Sequence, residues 1–142
     1  MRKFFVPIDG SENSLRAVHY AVSLARDERP AEVYVATVQP EPFLYGEIAV
    51  YVDRDKLERE RRNQGEAVLR PAVDLLAKAG IRYQKEILTG GIAESIVRCA
   101  EELKCDVIVM GTRGMAEWGN LVMGSVTTKV IHLTKLPVTL IK

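Results

Sequence analysis

The chain alternates between short apolar runs and longer stretches of helical period, and this alternation constrains the fold more than any other feature. The apolar runs lie at residues 3–8, 33–38, 81–88, 107–110 and 138–141. The first, second and fourth are apolar on both faces, which is typical of strands covered on both sides in a parallel sheet. The βαβαβαβαβ order predicts a doubly wound α/β fold, with a five-stranded parallel sheet, right-handed crossovers and helices on both faces.

Three of the four intervening stretches predict amphipathic helices with a single buried stripe. Ser11 is suited to cap the first of them, because its hydroxyl can accept a hydrogen bond from a free amide of the first turn. The expected buried residues are Leu15, Val18, Val22 and Ala25 in the first helix, Ile92, Ile96, Ala100 and Leu103 in the third, and Val126, Val130, Ile131 and Leu133 in the fourth.

The second helix has a less regular sequence. Its apolar stripe runs from Val68 to Ala79, and Gly80 stands where a left-handed C-terminal cap belongs. Gly65 and Pro71 interrupt the pattern, and Pro71 lacks a backbone donor, so we expect the helix to be kinked or divided there.

Composition limits the class of protein. A length of 142 residues indicates one domain, spanning 1–142. Lys and Arg total 20 against 19 for Asp and Glu, so no basic field exists to hold a nucleic acid. The apolar runs are too short to span a membrane, and the first residues do not form a secretory signal, so we expect a cytoplasmic protein. Cys99 and Cys105 are expected to be reduced thiols in packing roles.

Residues 39–52 predict an irregular segment that contains Phe43, Tyr45 and Tyr51. A segment of this length inside a compact domain is often functional. Two interpretations stay open: a lid or partner surface, or a loop that packs its apolar side chains on its own domain.

The most informative motif is a glycine array after the fourth strand, Gly111-x2-Gly114-x9-Gly124-Ser125. A phosphate group needs several backbone N–H donors directed at one point and no side chain in the way, and glycine meets both needs. Ser125, Val126 and Thr127 would form the first turn of a helix, whose free amides and dipole favour anions, and the hydroxyls of Ser125 and Thr127 would add donors. The array therefore predicts a phosphate site.

Familiar phosphate loops do not match the chain. Gly119-x4-Gly124 has the glycine spacing of a Walker loop, but Ser125-Val126 stands where Lys-Ser or Lys-Thr is required. A G-x-G-x-x-G motif does not follow the first strand, which argues against a dinucleotide-binding domain.

With these motifs the chain resembles the universal stress protein family, in its ATP-binding branch. The resemblance runs from the opening Val6-Pro7-Ile8-Asp9-Gly10-Ser11 to the closing Leu136-Pro137-Val138, and the glycine array is its most specific part. It implies an adenine nucleotide alpha hydrolase-like, Rossmann-like fold and a homodimer joined through the last strand. An exposed apolar edge strand is a liability unless it is paired, which favours the same homodimer through residues 138–141.

The resemblance also implies a ligand and its contacts. The ligand would be ATP, with AMP and ADP as alternatives, and magnesium or manganese would bridge the phosphates. Because no cluster of carboxylates lies in these loops, phosphate and water would supply most metal ligands, and we expect no metal-binding side chains. The residues implied to contact the nucleotide are Pro7, Asp9, Val38, Met110, Gly111, Thr112, Arg113, Gly114, Met115, Ala116, Glu117, Gly124, Ser125, Val126 and Thr127.

Three functions remain compatible with this sequence. We favour a nucleotide-dependent regulatory module of the stress response, because candidate catalytic groups are few and we assign no catalytic residue. Asp9 lies at the correct end of the sheet, whereas Asp106 begins the fourth strand and is expected at the opposite end. The alternatives are a slow ATPase or phosphotransfer enzyme that uses the same pocket, and a partner-binding module that is independent of nucleotide.

Overall fold

The computed structural model describes residues 1–40, 46, 53–112 and 124–142. Within these ranges the chain alternates between five strands and four helices. The strands are β1 (Arg2–Pro7), β2 (Ala31–Gln39), β3 (Arg82–Thr89), β4 (Val107–Gly111) and β5 (Val138–Ile141), and the helices are α1 (Glu12–Asp27), α2 (Arg54–Lys78), α3 (Ile92–Glu102) and α4 (Ser125–Leu133).

The five strands form one parallel sheet in the order β3-β2-β1-β4-β5. β1 lies at the centre, with Pro7 opposite Ala36 of β2 on one side and Phe5 opposite Ile108 of β4 on the other. Helices α1 and α2 pack on one face, and α3 and α4 pack on the other. This arrangement confirms the predicted doubly wound α/β fold.

The core is divided between the two faces of the sheet by the alternation of side chains along each strand. Phe4 and Val6 pack against α1 and α2, whereas Phe5 and Ile108 pack against α3 and α4. All four side chains are at most 1% exposed. Because the central strands bury both faces, their sequences are continuously apolar.

Helix α1 begins as the sequence predicts. The Ser11 hydroxyl accepts a hydrogen bond from the Ser14 amide at 3.1 Å, which satisfies one of the free donors of the first turn. Glu12 lies in the first turn and Arg26 in the last, where each charge is favourable to the helix dipole. Three of the four predicted buried residues are buried, and Leu15 is half-buried.

Helix α2 is continuous over 25 residues with Pro71 inside it, so of the two predicted alternatives, a kink or a division, the division does not occur. Leu69, Ala72 and Leu76 are fully buried on either side of Pro71, and this packing offsets the ~3 kcal/mol cost of an internal proline. Gly65 is not an interruption either. A Cβ at Gly65 would lie 2.8 Å from a side-chain carbon of Ile87, so glycine is what lets the helix approach β3 this closely. Gly80 has φ +67°, as predicted for its cap position.

The predicted stripes of α3 and α4 are partly wrong. Ile92 is 47% exposed at the start of α3, while Ile96 and Ala100 are buried as expected. In α4, Val130 is buried, but Ile131 and Leu133 are 38% and 46% exposed. The buried residues of α4 are Thr127 and Val130, and Ile131 and Leu133 stay on the surface.

The two cysteines are unpaired, Cys99 half-buried and Cys105 buried, as the packing role predicts. Burial raises the pKa of Cys99 to about 11 and that of Cys105 to about 12, so both thiols are neutral at physiological pH. In the part of the chain that the structure describes, no helix is long and apolar enough to cross a bilayer.

Candidate functional site

The strand order reverses between β1 and β4, and in open α/β sheets ligands bind beyond the carboxyl ends of the strands at such a point. The chain leaves β1 towards β2 and β3, then crosses to β4 and β5. The carboxyl ends of β1 and β4 are therefore neighbours. They bring Asp9 and Gly10 to the same crevice as Gly111 and Thr112, as the sequence predicts.

Asp9 is exposed at this crevice and is held by the residue that caps α1. Its Oδ1 accepts hydrogen bonds from the Ser11 amide at 2.9 Å and from the Ser11 hydroxyl at 2.5 Å. Gly10 makes this turn possible with φ +86°, a conformation that disfavours side chains. Within the described residues no hydrogen bond reaches Asp9 Oδ2, so this oxygen can accept one from a ligand.

Pro7, Val38 and Met110 share the face of the sheet that α3 and α4 cover. Met110 is 4% exposed and forms part of the core, whereas Pro7 and Val38 are half-buried near the ends of their strands. The alternation along β1 places Pro7 on the same side as Phe5. These apolar side chains therefore form a surface on the same side of the sheet as α4.

Among the residues that the structure describes, no side chain caps the amino end of α4. Gly124 occupies the N-cap position and makes no side-chain capping bond, and Ser125 beyond it is exposed. The first intrahelical bond that reaches Gly124 comes from the Thr128 amide at 3.0 Å. The amides of Ser125, Val126 and Thr127 are thus first-turn donors without a helical acceptor, an arrangement that favours an anion.

This helix end is attached directly to the end of β4. The Gly124 amide donates to the Thr112 carbonyl at 2.6 Å, and the Thr127 hydroxyl donates to the Gly111 carbonyl at 2.9 Å. The second bond differs from the expectation that the Thr127 hydroxyl donates to phosphate, because its single hydrogen is directed at Gly111. Of these two hydroxyls, that of Ser125 is therefore the one that can donate to a phosphate at this helix end.

Helix α4 is also held against α3. Lys129 forms an ion pair with Glu94, which lies in the first turn of α3. The hydrogen bond from Lys129 lowers the pKa of Glu94, so the carboxylate stays ionised and the link persists at physiological pH.

The structure gives a different reason for glycine at position 111 from the one predicted. Gly111 is not among the described glycines with positive φ, and Gly124 has φ −59° and ψ 153°, which other residues also adopt. A Cβ at Gly111 would lie 2.0 Å from Oδ1 of Asn13. Glycine is required there by the side chain of Asn13, a residue that belongs to none of the sequence motifs.

Several predicted contacts lie outside the described residues, and so does most of the aromatic segment at 39–52. The predicted site residues in this group are Arg113, Gly114, Met115, Ala116 and Glu117.

The sequence and the fold are similar to those of known proteins. A family model described as the universal stress protein family matches residues 1–142. The chain belongs to this family. It is 32% identical to universal stress protein MJ0531 of Methanocaldococcus jannaschii over 143 residues, which covers 99% of this chain and 82% of that protein.

Two similar universal stress proteins have been solved with nucleotides. The protein from Archaeoglobus fulgidus in complex with dAMP is 27% identical, with a TM-score of 0.71, and the match covers 100% of this chain and 98% of that one. A universal stress protein in complex with cAMP is 26% identical, with a TM-score of 0.68, over 99% and 96% of the two chains. Nucleotide binding is therefore a property of solved relatives of this universal stress protein.

The amino ends of the strands, at the opposite side of the sheet from the carboxyl ends, do not contribute to the crevice. Asp106 lies there, as predicted, and its Oδ2 accepts a hydrogen bond from the Lys3 amide at 2.8 Å. Across the described ranges, no group of three or more His, Cys, Asp or Glu side chains is placed to hold a metal ion.

Proposed function

We propose that this universal stress protein binds ATP at the carboxyl ends of β1 and β4 and acts as a nucleotide-dependent regulatory module. The observation that carries the proposal is the amino end of α4, which no side chain of the described residues caps. This helix end is hydrogen-bonded to the end of β4 at the point where the strand order reverses. An anion at such a helix end interacts with free amides and with the positive end of the helix dipole.

The nucleoside is proposed to lie over the ends of β1 and β2. Pro7 and Val38 offer half-buried apolar surface to the adenine ring on the face shared with α4. Asp9 is oriented by Ser11 and presents Oδ2 as an acceptor for a ribose hydroxyl. This placement puts the base and the phosphate site on the same side of the sheet.

The phosphates are proposed to contact the amides of Ser125, Val126 and Thr127 and the Ser125 hydroxyl. The residues fit a polyphosphate because the donors are main-chain groups at an exposed helix end. The further assignment of residues 113–117 to ribose and phosphate depends on the sequence motif. Magnesium or manganese would be held by phosphate oxygens and water.

We further propose a homodimer through β5. This strand is at the edge of the sheet and all four of its residues are half-buried in the isolated chain. The exposed Ile131 and Leu133 of the preceding helix add apolar surface. Pairing would satisfy the main-chain groups along the open edge, and sedimentation at micromolar concentration tests it, since a monomer would contradict the proposal.

Calorimetry with adenosine, AMP, ADP and ATP tests the nucleotide proposal. We expect affinity to rise with each added phosphate, because the charged groups gain contacts with the α4 amides. Trp118 is the single tryptophan in the sequence and supplies a second, fluorescent readout. Equal affinity for adenosine and ATP would contradict the phosphate site, and no heat with any of the four would contradict nucleotide binding altogether.

Phosphate release from ATP separates a regulatory binder from an enzyme. The comparison is between wild type and Asp9→Asn, which keeps the shape of the side chain and removes its charge. We expect turnover far below the ~10 s⁻¹ that is the median for enzymes. Turnover near that rate, lost in the variant, would favour the ATPase alternative.

A further inference from the structure

Asn13 occupies a buried position where the amino end of α1 meets the ends of β4 and β5. It is the second residue of α1, and it is 7% exposed although its side chain is polar. Its Nδ2 donates a hydrogen bond to the Ile141 carbonyl at 3.1 Å. Buried amides are costly unless they are paired, so this contact fixes the orientation of the side chain.

The acceptor of that bond is shared with the chain that leaves β4. The Ile141 carbonyl also accepts a hydrogen bond from the Thr112 amide at 2.9 Å. The side-chain amide of Asn13 and the backbone amide of Thr112 therefore donate to the same oxygen atom, that of Ile141. A displacement of Asn13 would thus affect Thr112 through this shared acceptor.

Asn13 also packs directly on the backbone of Gly111. A Cβ at position 111 would lie 2.0 Å from Oδ1 and 2.6 Å from Cγ of Asn13, so the amide occupies the space that a side chain would fill. Gly111 and Thr112 are the two residues whose carbonyls hold the amino end of α4, through Thr127 and Gly124. The Asn13 amide thus supports both attachment points of that helix.

We propose that Asn13 is a positioning residue for phosphate binding, which fixes Gly111 and Thr112 and thereby the direction of the α4 amides. This inference rests on the proposed function. Preorganised donors lose their advantage when they are displaced by a fraction of an ångström, because the hydrogen bonds to an anion depend on distance and angle. Asn13 does not touch the nucleotide in this scheme.

The test compares Asn13→Ala and Asn13→Leu with wild type by calorimetry, with ATP and adenosine as the two probes. Asn13→Leu keeps a branched side chain of similar shape, removes the donor to Ile141 and adds no charge. We expect ATP affinity to fall at least tenfold in both variants, while adenosine affinity changes less than twofold. A merely structural role would lower both affinities together, and that result, or an unchanged ATP affinity, would overturn the proposal.

Arg16→Ala is the matched control. Arg16 lies on the same helix, and its Nε donates to the Lys142 carbonyl at 3.0 Å, one residue beyond the acceptor of Asn13. The substitution removes a bond between α1 and the residue that follows β5, without removing the contact on Gly111. We expect the ratio of ATP to adenosine affinity to stay at the wild-type value. A fall as large as in the Asn13 variants would assign the effect to general anchoring of β5 and overturn the positioning role.

A double-mutant cycle in urea tests the same contact without nucleotide. Gly111→Ala is expected to lower the unfolding midpoint strongly in wild type and less in the Asn13→Ala background. The two closest contacts, to Oδ1 and Cγ of Asn13, are lost in that background, whereas the one to its backbone carbon at 3.3 Å stays. If the two substitutions lower the unfolding midpoint additively, Asn13 and Gly111 are not in direct contact, and the proposal is overturned.

The two proposals fail in different ways. If wild type binds ATP more tightly than adenosine and the Asn13 variants do as well, only the positioning role falls. If wild type does not bind ATP more tightly than adenosine, the proposed function is contradicted, and so is the positioning role.

Discussion

The amino ends of the parallel strands form one border of the sheet, here called the amino edge, and their carboxyl ends form the other, the carboxyl edge. Both carry carboxylates and hydrogen-bond donors, but they differ in where those groups are directed. At the amino edge, the Lys3 amide donates to Asp106 and the Lys3 ammonium donates to the Leu103 carbonyl at 3.2 Å. At the carboxyl edge, the described residues engage Asp9 through Oδ1 alone and supply no side-chain cap to α4. The comparison shows that polar residues alone do not indicate a site.

Glu32 shows how the amino edge satisfies its polar groups internally. It is 6% exposed, and its two oxygens accept hydrogen bonds from the Tyr34 hydroxyl and from Gln84 Nε2, both at 3.0 Å. Burial and the hydrogen bond to Glu32 raise the pKa of Tyr34 to about 12. Because each oxygen of Glu32 accepts a hydrogen bond from a neighbouring side chain, this buried carboxylate stabilises the interior and is not free to bind a ligand.

The largest expected effect is at the carboxyl edge, from Ser125→Asp. The new carboxylate would lie beside the phosphates, and like charges a few ångströms apart repel by about 4 kcal/mol at an effective dielectric constant of 20, before solvent screening. We expect ATP affinity to fall about a hundredfold, as measured by calorimetry, while stability is kept because an acid in the first turn favours the helix dipole.

Asn63→Asp is the control for Ser125→Asp, since it adds the same charge at an exposed position of α2. It should leave ATP affinity within twofold of wild type. An equal loss in the two variants would mean that net charge, not the end of α4, determines the affinity.

The next effect is at the amino edge, from Tyr34→Phe. Loss of the hydrogen bond to the charged Glu32 should lower the free energy of unfolding by about 2 kcal/mol in urea, with ATP affinity unchanged. The pKa of Tyr34 is raised from 10.0 to about 12 in the folded state, so its contribution is present below pH 10 and is lost as pH rises towards 12. The variant should therefore lose less stability than wild type between pH 10 and 12.

Tyr83→Phe provides the matched control on the neighbouring strand, where Tyr83 is half-buried. Cys99 and Cys105 also have raised pKa values, so part of the alkaline loss should persist in both tyrosine variants. An identical alkaline decline in wild type and Tyr34→Phe would contradict the assignment.

The smallest expected effect comes from Lys104→Gly, also at the amino edge. Lys104 follows α3 with φ +55°, a left-handed conformation that costs energy in residues with a Cβ. Relief of this cost is partly offset by the greater freedom of glycine in the unfolded chain, so we expect a gain of about 0.5–1 kcal/mol in the free energy of unfolding. Unchanged or lower stability would show that the side chain of Lys104 contributes more than the backbone conformation costs.

The sheet was predictable because its signal is local. Continuous apolarity through Phe4 and Phe5 requires only that both faces of β1 be covered. The helices were less predictable at their margins, because hydrophobicity alone does not separate a core position from an apolar surface position. Ile92 and Leu133 have apolar side chains at helical spacing, but both are exposed.

The parts of the candidate site whose backbone conformation follows from a local motif could be predicted from the sequence. The parts that depend on contacts between residues distant in the sequence could not. The position of Gly124 and Ser125 before a helix follows from the local pattern. The role of Asn13 does not, because its acceptor Ile141 lies 128 positions away in the sequence. The bond from Thr127 to Gly111 likewise requires the end of β4 and the start of α4 to be placed in space first.

The short bond between the Gly124 amide and the Thr112 carbonyl joins the start of α4 directly to the end of β4. The orientation of the first turn of α4 is therefore set by the sheet and not by the helix sequence alone. A substitution that shifts the last residues of β4 would change the direction of the positive end of the helix dipole, even where α4 keeps its sequence.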